Sequence, residues 1–269
     1  MRMIVLAALA SLLFAGCGGQ FTLYAPDPVA PAGQEAPMVV RLQRADLFNV
    51  PMSVRDTCIR FQVSEGEQAA FTDKEGYAGV ALRAPVRPGN YPLRVAVQAK
   101  EGEEVTQQGR FYVWAKERTA VAVDLDSLPT YASFQAGGAR AALAHVATRA
   151  NIVYLTQKAA PEHARLHRTL AQSGYPDGPI LLWQSRRWEI VNQGGMRIPQ
   201  ILWEGKLVSQ LPLLRDQFPG LNVGVSTNPR AAAAFHEANL RPVVVGGAYV
   251  PGNYHVRCTT WADLPAVGL

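Results

Sequence analysis

The ten residues Thr119-Ala-Val-Ala-Val-Asp-Leu-Asp-Ser-Leu128 constrain the fold of this chain more than any other stretch. Small and β-branched apolar residues succeed one another without alternation. Such a run fits a strand buried on both faces, the condition of a parallel sheet. Asp124 and Asp126 come directly after it. Carboxylates in that place lie at the carboxyl end of a strand, where open α/β sheets build their sites.

The chain from there to about residue 247 has the grammar of an α/β domain. The sequence predicts a helix over 139–149, a buried strand over 151–156, a helix over 161–172 opened by Pro161 and closed by Ser173-Gly174, and a strand over 179–183. A helix within 200–217, a strand over 221–225, an Ala-rich helix over 230–239 and a strand over 242–245 complete the alternation. Repeated β-α units favour a parallel sheet with helices on both faces. The tail, 248–269, shows little pattern and is expected to pack onto a neighbouring domain.

The chain before residue 117 has a different grammar. Residues 37–116 hold short, partly alternating apolar runs at 38–42, 58–63, 79–83, 91–97 and 110–114. Turn residues separate them, among them Asn49-Val-Pro51, Asp73-Lys-Glu-Gly76 and Arg87-Pro-Gly-Asn90. This spacing predicts an antiparallel β-sandwich. Residues 17–36, rich in Pro, Gly and Ala, read as a tether whose first part has the option of an edge strand. Residues 1–16 pair one early charge, Arg2, with an apolar segment too short to span a bilayer comfortably, and read as an export signal.

Charge narrows the partners. Beyond the signal, residues 17–116 carry 11 basic and 11 acidic side chains, whereas residues 117–269 carry 14 against 10. A basic surplus confined to the α/β region fits an anionic ligand there, although it is small and a merely solvated surface is the simpler explanation. No Lys/Arg run or aromatic-basic repeat is present, so no nucleic-acid partner is expected. In an oxidising compartment Cys58 and Cys258 either pair or remain two buried thiols.

Three resemblances sharpen these readings. Leu13-Phe-Ala-Gly-Cys17 resembles the lipobox of bacterial lipoproteins, which implies acylation of Cys17, with Gly18 implying outer-membrane sorting facing the periplasm. A plain secretory signal is the alternative. Phe71-Thr-Asp-Lys-Glu-Gly76 with Pro88-Gly-Asn-Tyr91 resembles bacterial Ig-like repeats, which implies an Ig-like sandwich that spaces or docks its neighbour. Val121-Ala-Val-Asp-Leu-Asp126, Tyr154-Leu-Thr156, Gly174-Tyr-Pro-Asp-Gly-Pro179, Lys206 to Pro219 and Gly224-Val-Ser-Thr-Asn-Pro-Arg230 together resemble the four motifs of the haloacid dehalogenase superfamily. Within it they are similar to the phosphatase-type domain of lipins and phosphatidylinositol transfer proteins. The resemblance covers 120–247 and implies a Rossmannoid α/β domain over 117–247, with Asp124 as nucleophile and magnesium ligand and Asp126 as acid/base and second ligand. It also implies Thr156 and Gln157 as phosphate-binding groups, and Lys206, or else Arg197, offsetting negative charge.

The sequence departs from that pattern where it matters most. The fourth motif's metal-binding acid is missing: Arg230 precedes four alanines, and no carboxylate stands between Leu221 and Glu237. Leu128 and Pro129 also break the first motif. Asp177 and Asp216 are the carboxylates left to compensate. Magnesium is therefore expected only if the domain is active. The expected function is a degenerate phosphatase-like domain that binds a phosphorylated ligand such as phosphatidate at the envelope without turnover. An active magnesium-dependent phosphatase and an envelope scaffold are the alternatives. Only about 30 residues separate Asp126 from Thr156, too few for a large cap, so a membrane-borne ligand has access. His163 and His167, four apart on a helix, lack an evident third metal ligand and read as a solvated face. Gly137-Gly138 and Gly194-Gly195 read as loops, Arg186-Arg187 as solvation or an anion-facing rim, and Tyr131, Trp183, Trp188 and Trp203 as packing.

Overall fold

The computed structural model describes residues 21–46, 50–98, 104–129, 136–158, 163–186, 188–193, 195–201, 207–246, 252 and 254–267. It is a β-rich chain of more than one domain. The first part is built from β1 (Phe21–Tyr24), β2 (Val29–Pro31), β3 (Glu35–Ala45), β4 (Pro51–Ser53), β5 (Cys58–Val63), β6 (Gly66–Phe71), β7 (Tyr77–Arg83), β8 (Gly89–Gln98) and β9 (Glu104–Trp114). β3 is long enough to pair with β1 along one edge and with β7 and then β4 along the other. The second sheet runs β2-β9-β8-β5-β6. Period-two alternation turns Ala36, Met38, Val40 and Leu42 of β3 inward. They meet Ile59, Phe61, Val95, Val97 and Phe111 of the other sheet in one apolar core.

The segment 21–36, read from the sequence as tether, belongs to this sandwich. β1 pairs with β3, and β2 runs parallel to Tyr112–Trp114 of β9. Its prolines suggest a linker, yet Pro31 ends an edge strand, where a missing N–H costs no ladder bond. Cys58 and Cys258 are both free.

The second part centres on β10 (Ala120–Asp124), every residue of which is buried. With β11 (Asn151–Thr156), β12 (Ile180–Leu182), β17 (Leu221–Ser226), β18 (Arg241–Val245) and β19 (Val256–Cys258) it forms one wholly parallel sheet in the order β12-β11-β10-β17-β18-β19. α1 (Ala136–Ala147) and α2 (His163–Gln172) pack with Val121 and Val123 on one face. α3 (Gln210–Gln217) and α4 (Pro229–Glu237) pack with Ala120 and Ala122 on the other. Alternate residues of β10 thus serve both layers, which is why the run shows no polar position until Asp124.

Three sequence expectations change here. The helix sought within 200–217 is confined to α3, because β13 (Gln184–Arg186), β14 (Trp188–Gln193), β15 (Met196–Ile201) and β16 (Leu207–Ser209) precede it as antiparallel pairs β13·β16 and β14·β15. The patternless tail supplies β19 and a 3-10 helix, Trp261–Val267, whose Trp261 and Leu264 join the core beside α1. A three-residue strand is too short to carry periodicity. Gly137 and Gly138 are helical, inside α1.

The two parts share apolar surface: Val29, Tyr112 and Trp114 of the sandwich lie in the same cluster as Leu214, Phe218 and Phe235. Trp114 and Phe218 rings stand 5.3 Å apart. Asp177 adds polar contacts across the same seam, accepting from Asn90 at 3.0 Å and Tyr112 at 3.1 Å and pairing with Arg110. Among the described residues no helix is long and apolar enough to cross a membrane.

One glycine sets how closely α4 approaches the sheet. A Cβ on Gly224 in β17 would stand 2.2 Å from Cγ of Phe235, a fully buried ring that has nowhere to move. Gly224→Ala is therefore expected to lower stability by about 1–3 kcal/mol through overpacking, read as a lower urea midpoint with an unchanged m-value.

Candidate functional site

The strand order reverses at β10. The chain adds β11 and β12 on one side of it, then returns to place β17 on the other. In open α/β sheets the crevice for a ligand opens at the carboxyl ends of the strands flanking that switch. Here those ends carry Asp124, Thr156 and Ser226, which are 3%, 1% and 0% exposed and so have been withdrawn from water at a cost that only partners can offset.

The partners are internal. Beyond Asp124 the chain makes a single 3-10 turn, Leu125–Ser127, which brings the Asp126 amide back to Asp124 Oδ1 at 3.2 Å. Asp124 Oδ2 accepts the Ser127 hydroxyl at 2.5 Å and the Ser226 hydroxyl at 2.6 Å. Ser226 Oγ also accepts the Asn228 amide at 2.8 Å, and the Asn228 side chain caps α4 through the Arg230 amide. Burial pushes the Asp124 carboxyl above the usual range, although the Ser127 and Ser226 hydroxyls favour its charged form.

Asp126 points the other way. Its Oδ1 accepts the Thr156 hydroxyl at 2.9 Å and its Oδ2 accepts the Gln157 amide at 2.8 Å. Thr156 Oγ1 in turn accepts the Lys158 amide at 3.1 Å. The two donors that the family resemblance assigns to a phosphoryl group are holding a carboxylate.

Next to Thr156 and Gln157 a groove of about 750 Å³ opens between β11, β12 and α4. Lys158 and Arg230 stand on it with Glu237, while Leu182, Trp183, Pro212 and Ala234 supply an apolar wall. Among the described residues neither basic side chain is in an ion pair. Trp183 packs on Phe235 at 5.1 Å, so it is both wall and core.

The structure brings Asp124, Asp126, Thr156 and Gln157 together. Ser127 and Ser226 belong with them, and sequence reasoning missed both. Ser226 was findable, because it directly follows the strand expected over 221–225, shortly before a helix start, as Asp124 follows its own apolar run. Lys206, Arg187, Cys17, Tyr131, Trp203 and Gly194 lie outside the described residues, and the side chains of Arg186, Trp188 and Arg197 do too. Asp177 and Asp216 do not join Asp124 and Asp126. Asp177 precedes β12 and Asp216 precedes β17 by a few residues, so both lie toward the amino ends of parallel strands, opposite the site.

Magnesium does not fit these residues well. It demands near-octahedral oxygen ligands. The oxygens of Asp124 already accept three hydrogen bonds between them, and both of Asp126 are engaged. A neutral hydroxyl, Ser226, ends β17, and among the described residues no third carboxylate joins the pair.

No family model matches the sequence, and no curated protein matches it either. Similar solved structures are remote. The soluble domain of PmoD from Methylocystis sp. ATCC 49242 is 14% identical with a TM-score of 0.24, the match covering 37% of this chain and 99% of that one. CopC from Methylosinus trichosporium OB3b is 17% identical, TM-score 0.23, over 36% and 98%. A carbohydrate acetylesterase from Xanthomonas citri is 15% identical, TM-score 0.35, over 84% and 60%. At these scores none informs the site.

Because the folded chain holds Asp124 with a raised pKa, its native state keeps that proton more tightly than the unfolded chain does. The group's contribution to stability therefore falls as pH rises from about 4 through the folded value, and stays low above it. Asp124→Asn removes the charge while its amide can donate to the two serine hydroxyls. The variant should be more stable than the parent at pH 7 and lose that advantage below about pH 4, as urea unfolding at the two pH values would register.

Proposed function

We propose that the α/β part is a degenerate haloacid-dehalogenase-like domain, related in design to the lipin and phosphatidylinositol-transfer-protein type, that binds a phosphorylated ligand such as phosphatidate without turning it over. It works behind an Ig-like sandwich in a bacterial envelope lipoprotein held through acylated Cys17 and facing the periplasm, a location read from the sequence. The carrying observation is the pair of donors at the end of β11. The Thr156 hydroxyl and Gln157 amide hold an anionic group, the Asp126 carboxylate, beside a groove that offers Lys158 and Arg230. A phosphoryl group takes the same two donors when Asp126 turns out to solvent, where it is already exposed. The apolar wall of Leu182, Trp183 and Pro212 suits an acyl or glyceryl portion next to that headgroup.

Absence of turnover is a consequence of the state of Asp124. A nucleophile must present a free lone pair in line with phosphorus. This carboxylate is 3% exposed and bound by three donors, with no acid on β17 to share a metal. The same hydroxyls that make Asp124 tolerable inside the sheet hold it away from chemistry.

Flotation of protein carrying Cys17→Ala, and so lacking the lipid anchor, with phosphatidylcholine vesicles, with and without phosphatidate, tests the reading. Binding should require phosphatidate and should fall about tenfold or more when Lys158 and Arg230 are both changed to Ala, since each charge-assisted bond is worth about 1.5–3 kcal/mol. Asp126→Ala should tighten binding, because it frees the two donors. Phosphatidate-independent binding, or weaker binding in Asp126→Ala, would sink it.

A further inference from the structure

Away from the sheet's carboxyl edge, the seam between the two parts holds a second cluster. His163 and His167, four apart on α2, turn toward Asp27, which lies between β1 and β2 of the sandwich and 140 residues from His167. Asp27 is 5% exposed and His163 6%, so the sequence expectation of a solvated helix face fails for His163. One oxygen collects everything: Asp27 Oδ2 lies 2.6 Å from His167 Nε2, 3.4 Å from His163 Nε2 and 2.7 Å from the Ile180 amide. The Ile180 amide and His167 nitrogen satisfy that oxygen as a hydrogen-bond acceptor, and His163 Nε2 remains beyond a good bond to it, shared with Ile180 O at 3.1 Å. The two imidazole rings are 4.8 Å apart.

We propose that this cluster is a zinc-type site, in which a divalent transition-metal ion bound by Asp27, His163 and His167 joins the sandwich to the α/β part. The three donor atoms all lie within 4.8 Å of one another, the convergence a single ion needs. Two imidazole nitrogens and one carboxylate oxygen are borderline donors, the set that zinc accepts and that calcium and magnesium do not favour. The i, i+4 spacing on one helix fixes the two nitrogens, and the β1–β2 segment brings the oxygen to them. An ion there replaces the over-shared proton contacts with three lone pairs directed at one charge. His167, whose side chain is 29% exposed, gives the ion its path in and leaves a coordination position toward solvent.

The ion's consequence is mechanical. Asp27 sits on a segment that pairs into both sandwich sheets, through β1 and β2. α2 lies against the parallel sheet through Leu166 and Leu170. Binding to the folded chain but not to the unfolded one stabilises it by mass action.

The test is calorimetric titration of zinc chloride into chelator-stripped protein, with cobalt(II) absorption as the second readout. The parent should bind one zinc per chain, show a visible cobalt band, and melt at higher temperature with zinc present. His167→Ala, at the partly exposed position, and Asp27→Asn, which can still accept from Ile180, should each keep the fold by circular dichroism and bind zinc at least tenfold more weakly. Absence of stoichiometric binding by the parent would overturn the proposal and leave a hydrogen-bonded clasp. So would undiminished binding by both variants, which would put the ion elsewhere.

Discussion

The structure depends on one constraint: β10 is buried on both faces and on both edges, so the first polar group after it must be satisfied by the chain itself. Asp124 is that group. Its carboxylate ends the central strand of a parallel sheet. The neighbouring strand ends in Ser226, which donates to it, and the next turn returns Ser127 and the Asp126 amide. Asp126 is thereby pointed at β11, where Thr156 and Gln157 receive it. One burial requirement propagates across three adjacent strand ends and composes the whole site.

The same requirement separates holding an anion from attacking one. Donors arranged around a buried carboxylate lower the cost of its charge, and in doing so take up the lone pairs that a nucleophile or a metal would use. In the proposed function the exposed carboxylate, Asp126, is the one that gives way. Its donors lead into the groove with Lys158 and Arg230, so the part of the site that would exchange partners is the part that borders the groove.

Much of this was legible in the sequence, and the reasons for the rest are physical. The run 120–124 announced a doubly buried strand because small and β-branched residues filled every position, and the helix and strand alternation after it came from ordinary periodicity. Asp124 and Thr156 were found because they end such strands, and Asp126 because it follows two residues after one. β19 and β16 were not, since three residues cannot display a period and their place is fixed only by the strand beside them. β1 lies where the start of the expected tether had the option of an edge strand, and β2 hid behind prolines that an edge position tolerates. Asp27 had no local signal at all. Its partners are more than a hundred residues away, and only the packing of the sandwich against α2 makes it a neighbour of His163 and His167.

Whether the site holds a phosphoryl group and leaves it intact is tested most directly by phosphorus-31 NMR of a soluble short-chain phosphatidate mixed with the protein and magnesium. The ligand resonance should shift and broaden with protein, Lys158→Ala with Arg230→Ala should abolish the change, and no inorganic phosphate should accumulate over hours. Inorganic phosphate whose release Asp124→Asn prevents would contradict the reading, since that outcome requires the carboxylate now bound by Ser127 and Ser226 to be a working nucleophile.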